Sequence, residues 1–273
     1  MYNIYINYMV YNCYLKYVSD ITKNNILESN FKSNENYNEI LEHVSKTQGE
    51  QYIKLINETI NSLFSEISIE NIKEFIIIND KYGYPQKETF TFFDNSNIIC
   101  SPTSLRYVYH SLLILNYYKL TNNTRNIVEV GCGYGGLFLG ICYFSKILNI
   151  KIDHYYFIDL PEICNLINNY ISLHKDIINI SYSTHSAFNY GSEIDIINLF
   201  LISNYCFTEI EKEYRDNYIT TLLPKVTNGF IIWQTIFNLP ITQTNIMNKK
   251  IYKIDEEKPQ TATIENKNYF VYF

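Results

Sequence analysis

A glycine-rich segment carries the clearest chemical signal in this sequence. It reads GCGYGG over residues 131–136 and follows a predicted strand, IVEV at 127–130, where the strand would end and a helix begin. Glycines allow a tight turn and let a ligand approach the main chain closely, with the start of the next helix facing that ligand. The segment therefore predicts a turn that binds a nucleoside cofactor, although a plain strand-to-helix turn would use the same residues.

Glu129 distinguishes between the two classes of cofactor, dinucleotides and SAM, that such a turn could bind. Gly131, Gly133 and Gly136 satisfy the GxGxxG pattern of dinucleotide enzymes. Glu129 stands two residues before the first glycine, however, and ExGxGxG is the pattern of enzymes that use S-adenosylmethionine (SAM). SAM is cationic and has no phosphates, so it needs no anion site. The predicted cofactor-binding residues of this segment are Glu129, Gly131, Gly133, Tyr134 and Gly135.

A second acid, Asp159, ends the next predicted strand, about 30 residues after the glycine-rich turn. An acid at this place can accept hydrogen bonds from both ribose hydroxyls of a nucleoside cofactor. Asp159 could equally cap the helix that starts at Pro161, but together with the turn it favours the ribose. We expect the methionine part of SAM against residues 131–135 and adenine near Leu160 and Ser186.

The second half of the chain alternates short apolar runs with helical stretches, which is typical of a parallel sheet with crossover helices. The predicted strands are 127–130, 155–159, 178–183, 197–203 and 229–233. The helices between them are predicted at 136–148, 161–174 and 208–223. Two last strands, 250–254 and 269–273, leave no room for a helix and predict an antiparallel hairpin at the sheet edge. The predicted fold class is α/β, with a doubly wound, Rossmann-like sheet of seven strands.

The first 100 residues have a helical pattern instead. Apolar residues recur there at three- and four-residue steps, as an amphipathic helix requires. They are Ile40, Leu41, Val44, Ile53, Leu55, Ile56, Ile60 and Leu63. A further helix is predicted from Pro102 to about Lys119, because proline suits a first helical turn. We divide the chain into a helical region, residues 1–100, that caps the acceptor pocket, binds substrate or forms a homodimer interface, and a SAM-dependent domain, residues 101–273.

Composition disfavours several classes of function. The chain has 273 residues, of which 47% are hydrophobic and 18% charged, so it can bury a core and is not disordered. A net charge of −6 disfavours nucleic acid as a partner. The 6 cysteines include no CxxC, and none has zinc-ligand spacing with a histidine. Because neither a signal peptide nor a membrane-spanning run is visible, we expect reduced thiols, a cytoplasmic location and no membrane partner.

Five blocks, in this order, resemble the sugar O-methyltransferase family, which has the class I SAM-dependent methyltransferase fold. They are YGYP at 82–85, SPTSLRY at 101–107, EVGCGYGGL at 129–137, IDLPE at 158–162 and SNYCFTE at 203–209. The resemblance covers about residues 37–233. Cys132 stands where a glycine is frequent, and the acid expected to open the fourth strand is displaced or replaced near Asn198. Neither departure removes a group that the chemistry needs.

The resemblance implies methyl transfer from SAM to a hydroxyl of a nucleotide sugar or growing glycan, in glycan biosynthesis, with S-adenosylhomocysteine (SAH) as the product. The hydroxyl oxygen must lie in line with the methyl and the sulfur, and it must lose its proton. Some sugar methyltransferases use a divalent metal; the sequence leaves this undecided, and no metal ligands are predicted. The alternatives are a methyltransferase of RNA ribose or of a small metabolite, and a catalytically inactive methyltransferase fold that serves as a binding subunit.

The acceptor is predicted between the helix that starts at Pro102 and the turn after the fourth strand, because ligands of open α/β sheets bind beyond the carboxyl ends of the strands. Arg106 offers a rigid fork of donors for a phosphate or for sugar oxygens, or else it forms a salt bridge that ties the helix to the core. Ser101, Thr103 and Tyr205 complete the predicted acceptor-binding residues.

Two residues are candidates for the base. His110 follows Arg106 by four residues, so the two share a helix face, and an unperturbed histidine titrates at about pH 6.5. Glu209 follows the fourth strand, beside the expected methyl group. His110 could instead be a core residue, and Glu209 could stabilise the first turn of a helix. We favour His110, with Glu209 second as base or metal ligand; Asn204 and Tyr205 would orient the acceptor or the sulfonium, and Asn204 counts as cofactor-binding.

Overall fold

The structure is a computed structural model that describes residues 2–23, 26–38, 43–121, 124–237, 239–241, 246, 249–263 and 265–273. The chain forms two compact units. The first comprises residues 1–112, 133–148 and 165–178, and the second comprises residues 113–132, 149–164 and 179–273. The division of the chain at residue 100 stays a prediction.

Helices dominate the beginning of the first unit. They are α1 (Tyr2–Lys23), α2 (Glu35–Asn38), α3 (Lys46–Leu63) and α4 (Ile69–Asn79). Helices α3 and α4 each follow a serine, Ser45 and Ser68, that forms a reciprocal capping box with the third residue of the helix. Helix α3 buries the predicted Ile53, Ile56 and Ile60. Leu63 at its end is exposed, Val44 lies in coil before it, and Ile40 and Leu41 lie outside the described residues.

An antiparallel hairpin follows these helices. Its strands are β1 (Glu88–Thr91) and β2 (Asn97–Cys100), and α5 (Pro102–Leu120) comes next. Lys73 of α4 fastens the hairpin loop, because its Nζ donates to Asp94 Oδ2 at 3.0 Å and to Ser96 Oγ at 2.5 Å. The sequence analysis predicted the helix from Pro102, but it assigned a helical pattern to the segment that forms the hairpin.

A seven-stranded sheet lies in the second unit, although the helical segments 136–147 and 165–172 between its strands belong to the first unit. The elements after α5 are β3 (Asn126–Val130), α6 (Gly136–Ile147), β4 (His154–Asp159), α7 (Pro161–Ser172), β5 (Ser181–Ser186), β6 (Leu199–Asn204), α8 (Cys206–Glu209), α9 (Lys212–Thr221), β7 (Val226–Gln234), β8 (Lys253–Glu256) and β9 (Asn268–Tyr272). The strand order is β5-β4-β3-β6-β7-β9-β8. The first five strands in this order, β5, β4, β3, β6 and β7, are parallel to one another. Strand β9 runs antiparallel to both of its neighbours, β7 and β8. This confirms the predicted fold class, including the C-terminal antiparallel pair and the helical N-terminal region.

Side chains from helices cover both faces of this sheet within the second unit. On one face, Phe207 of α8 and Tyr218 of α9 join a buried cluster with Leu201 of β6. On the other face, the ring of Tyr117, from the C-terminal part of α5, lies 5.8 Å from that of Phe200, the neighbouring residue on β6. A parallel strand that is buried on both faces reads as a continuous apolar run, which is why β6 was recognisable.

Several predicted boundaries moved; β7 begins at Val226 rather than at 229, and β8 spans 253–256 rather than 250–254. Strand β5 spans 181–186 rather than 178–183, and β6 begins at Leu199 rather than at 197. The predicted helix 208–223 is broken, because Ile210 and Glu211 have extended ψ angles of 129° and 148° that end α8 and start α9. The edge strand β5 is polar and only partly buried, so it lacks the apolar signal on which the prediction depended.

Candidate cofactor and acceptor sites

The glycine-rich turn follows β3 directly, and three of its residues adopt left-handed backbone conformations. The φ angles are 79° at Gly131, 58° at Gly133 and 89° at Gly135, a region that glycine enters without steric cost. The N–H of Gly131 donates to the carbonyl oxygen of Ile158 at 3.1 Å. A Cβ atom on Gly131 would lie 2.2 Å from the Cβ of Cys206. Gly131 therefore has no room for a side chain, because the first residue of α8 already packs against it.

Asp159 ends β4, and the main chain holds its carboxylate. Oδ2 accepts a hydrogen bond from the N–H of Cys132 at 2.6 Å, and Oδ1 accepts one from the N–H of Leu160 at 2.8 Å. A carboxylate offers about four lone-pair sites, so these two bonds are compatible with a ribose diol on the same group. Ser186, at the end of β5, is its register partner in the sheet. The bond from Cys132 fastens the acid to the glycine-rich turn, and its role toward a ribose stays a prediction.

Glu129 lies inside the second unit, with 2% of its surface exposed. Its Oε2 accepts a hydrogen bond from the hydroxyl of Tyr155 at 2.8 Å. Burial raises the pKa of Glu129 to about 8; the bond from Tyr155 opposes this rise, and the charge of Asp159 adds to it. At neutral pH this carboxyl is mostly protonated, and a cation bound beside it would favour the carboxylate.

The end of β6 carries two polar side chains in different surroundings. Ser203 Oγ donates to the carbonyl oxygen of Val130 at 2.9 Å and accepts from the N–H of Phe207 at 3.0 Å, which fastens the start of α8 to the end of β3. Asn204 Oδ1 is buried and has no hydrogen-bond donor within the described part of the chain. Leaving such an acceptor unsatisfied costs free energy, so Asn204 is suited to a donor on a ligand.

Tyr205 follows directly and reaches an acid that the sequence analysis missed. Its Oη donates to Glu257 Oε1 at 2.5 Å. Glu257 is 1% exposed, and its Oε2 accepts from the N–H and Oγ1 of Thr261 at 3.0 and 2.7 Å and from Nδ2 of Asn268 at 3.1 Å. No motif surrounds Glu257, and Tyr205 stands 52 residues earlier, so no local pattern indicates the pair.

Glu209, the second candidate base, ends α8 and is exposed to solvent. The protein around it still desolvates the carboxyl in part and raises its pKa, while a hydrogen bond with Gln234 opposes the rise. Gln234 Oε1 also accepts from Thr208 Oγ1 at 3.0 Å. Because a carboxylate with a raised pKa binds a proton more strongly, this position strengthens Glu209 as a base.

Ser101, directly before α5, and the predicted site residues Thr103, Arg106 and His110 of α5 are all buried in the first unit. The N–H of Ser101 donates to Asp80 Oδ2 at 2.7 Å, and Ser101 Oγ accepts from the N–H of Thr103 at 3.2 Å. Thr103 Oγ1 has no hydrogen-bond partner among the residues that the structure describes. Burial, followed by the positive charge of Arg106, holds the pKa of His110 well below its ordinary value. His110 is therefore neutral and a weak base.

The predicted site residues fall in both units. The second unit holds Glu129, Gly131, Asp159, Leu160, Ser186, Asn204, Tyr205 and Glu209. The first unit holds Ser101, Thr103, Arg106, His110, Gly133, Tyr134 and Gly135. Among the described residues, no three His, Cys, Asp or Glu side chains converge as metal ligands. No helix in the described part of the chain combines the length and the apolar character that crossing a bilayer requires.

No family model matches the sequence, and no curated protein matches it. Solved structures with a similar fold do exist. The N-terminal domain of EvdMO1 with SAH bound is 8% identical over 74% of this chain and 93% of that chain, with a TM-score of 0.44. TehB from Haemophilus influenzae is 14% identical over 64% and 68%, with a TM-score of 0.41. The methyltransferase domain of bacterial-CtHen1-CN is 8% identical over 58% and 95%, with a TM-score of 0.40. Similarity this low says nothing about the activity of this chain.

Proposed function

We propose that this protein is a SAM-dependent O-methyltransferase that acts on a hydroxyl group of a nucleotide sugar or a glycan. The observation that carries the proposal is the hydrogen bond from the N–H of Cys132 to Asp159 Oδ2, at 2.6 Å. It fastens an acid that can accept a ribose diol to a glycine turn that can receive the methionine part of the same cofactor. The sugar acceptor is supported by the resemblance of the five sequence blocks alone.

The polar groups of the second unit fit a cationic nucleoside. Asp159 can accept from a ribose diol, Asn204 Oδ1 is a buried acceptor suited to an ammonium group, and a bound cation would favour the carboxylate of Glu129. The carboxylate of Asp159, and that of Glu129 once a cation favours it, repel phosphates, which disfavours a dinucleotide. SAM, when bound, supplies the electrophilic methyl group.

The chain itself must orient the acceptor hydroxyl and remove its proton. Glu209 suits the second task better than His110, because partial desolvation raises the pKa of an accessible carboxyl whereas full burial lowers the pKa of the imidazole. We therefore place Glu209 first as the base, which reverses the order favoured from the sequence. Its carboxylate takes the hydroxyl proton as the oxygen attacks.

Calorimetry with SAM, SAH and NAD tests the cofactor, and mass spectrometry of a panel of nucleotide sugars, glycans and RNA tests the acceptor. We expect SAM and SAH to bind, NAD not to bind, and a sugar to gain the methyl group. Glu209→Gln should lower kcat roughly 10²- to 10⁴-fold with SAM affinity intact, whereas Glu213→Gln, on the exposed start of α9, should not. A protein that binds no SAM, or that methylates RNA ribose instead, would refute the proposal.

A further inference from the structure

Lys32 places an ammonium group inside the first unit. The residue is 1% exposed. Its Nζ donates to the carbonyl oxygen of Asn79 at 2.5 Å and to Oη of Tyr170 at 2.9 Å. Lysine is rarely buried to this extent, because a charge removed from water must be compensated by its neighbours. The groups around Nζ therefore indicate which part of the first unit the ammonium group stabilises.

The buried carboxylate of Asp80 interacts electrostatically with Lys32, and aromatic rings surround the ammonium group as well. Nζ of Lys32 lies 4.2 Å from the ring centroid of Tyr134 and 4.6 Å from that of Tyr170, within the range of a cation–π interaction. The Tyr134 ring also contacts the rings of Phe31 and Tyr107, at centroid distances of 5.6 and 5.7 Å. Tyr134 has no exposed surface. Packing and charge together hold its ring in one orientation.

The hydroxyl group of Tyr134 is fixed as well. It accepts a hydrogen bond from Asn79 Nδ2 at 3.2 Å, and the same amide donates to Ser104 Oγ at 2.7 Å. Asn79 thus binds Lys32 through its main-chain carbonyl oxygen and Tyr134 through its side-chain amide. Ser104 Oγ donates in turn to Asp80 Oδ1 at 2.5 Å, so α5 anchors the network.

Tyr134 is also the central side chain of the glycine-rich turn. Gly133 and Gly135 flank it, both with positive φ, and glycines restrict the main chain least of all residues. A Cβ atom on Gly136 would lie 2.6 Å from the ring of Tyr107 and 2.7 Å from that of Tyr134, so the rings lie directly against the main chain. The side chain of Tyr134 therefore supplies the restraint that the glycines lack.

The YGYP block at 82–85 positions Lys32 itself. The N–H of Lys32 donates to the carbonyl oxygen of Gly83 at 2.9 Å. Gly83 has a φ of 87°, and a Cβ atom there would lie 2.7 Å from the Phe31 ring and 2.8 Å from Cγ of Lys32. This block, for which the sequence indicated no role, is the support on which Lys32 packs.

We propose that Lys32 is a positioning residue for the cofactor. Through Tyr134, its ammonium group holds the main chain of residues 133–136 in the conformation that receives the methionine part of SAM. The identity of the cofactor rests on the proposed function. The inference extends that function, because it makes cofactor affinity depend on a residue of the N-terminal region.

Two lysine variants form a matched pair. Lys32→Met retains the aliphatic stem and removes the ammonium group. Lys73→Met makes the same change at a lysine that also donates two hydrogen bonds, to Asp94 and Ser96, and lies 5.9 Å from the ring of Phe92. The partners of Lys73 belong to the β1–β2 hairpin rather than to the glycine-rich turn.

Two measurements are made at a temperature at which circular dichroism shows each variant to be folded. They are the SAH affinity, by calorimetry, and the amide hydrogen exchange of residues 133–136, by mass spectrometry. Lys32→Met should weaken SAH binding about tenfold or more and speed exchange in this segment, and Lys73→Met should do neither. A lysine with a purely structural role would lower the unfolding temperature without changing either measurement.

Native SAH affinity in folded Lys32→Met overturns the proposal, whether or not exchange becomes faster. If Lys32→Met does not fold, Tyr170→Phe provides the same test with a smaller expected loss, because it removes one acceptor of Nζ and keeps the ring. If the unmodified protein binds no SAH, the proposed function fails and the cofactor role of Lys32 fails with it. Exchange at 133–136 then reports separately whether Lys32 holds the turn.

Discussion

Replacing Glu129 by glutamine tests how far burial controls the charge of this acid. Burial raises the pKa from 4.5 to about 8, so the folded protein binds this proton more tightly than the unfolded chain does. The stability that the protonated group contributes is complete below about pH 4.5 and is lost as the pH rises through about 8. At about 1.36 kcal/mol per pKa unit, titration of this group alone should lower the free energy of unfolding by roughly 4 kcal/mol between about pH 5 and about pH 9.

Glu129→Gln keeps the size of the side chain and the oxygen that accepts from Tyr155, but it does not titrate. Urea unfolding of both proteins across this pH range measures the difference between their free energies of unfolding, which should shift by roughly 4 kcal/mol in favour of the variant as the pH rises. Glu74→Gln is the control, because Glu74 Oε2 also accepts from a tyrosine, Tyr143, at 2.6 Å but is exposed. Parallel pH curves for the unmodified protein and Glu129→Gln would refute the reasoning.

The same residue should couple cofactor binding to protons. A cation bound beside Glu129 favours its carboxylate, so SAM binding near neutral pH should release protons. Calorimetry in two buffers of different ionisation enthalpy measures this release, and Glu129→Gln should abolish it. Binding without proton release would remove Glu129 from the cofactor-binding residues.

Three further substitutions test the geometry around the turn. Gly131→Ala should destabilise the protein by about 2–4 kcal/mol, because the new Cβ would meet Cys206 at a backbone φ of 79°; an unchanged unfolding temperature would contradict this. Asp159→Ala should weaken SAM binding by about 1–3 kcal/mol, the value of hydrogen bonds to a charged acceptor, and calorimetry that finds native affinity would exclude the ribose role. Tyr205→Phe should lower the free energy of unfolding by about 1–3 kcal/mol, because buried Glu257 loses a donor; equal urea midpoints would show that the bond is of no consequence.

Local patterns in the sequence determined the order of the elements after residue 100. Proline at the first turn of α5 and the largely apolar, short runs of β3, β4 and β6 are signals that depend only on neighbours along the chain. The short connection between the last two strands excluded a crossover helix and so indicated their antiparallel pairing. The hairpin before α5 was missed because each of its strands spans four residues, too few for alternation to be recognised.

The spacing of glycines and acids also identified the turn after β3 and the acid at the end of β4. What the spacing did not contain was the environment of each charge. Glu129 is enclosed and mostly protonated near neutral pH, Glu209 reaches solvent, and His110 is too deeply buried to be a strong base. Desolvation depends on every segment that packs around a group, so residue type and position along the chain do not encode it.

Lys32 shows most clearly what local sequence patterns do not predict. Nothing in the residues beside it distinguishes it from a surface lysine, and its partner Tyr170 lies 138 residues away in the chain. Its contact with Tyr134 exists because four segments distant in sequence fold into the first unit together. The sequence by itself determined which residues could form a cofactor turn, whereas the tertiary structure decided what holds that turn, since burial and long-range contacts arise only when the chain has folded.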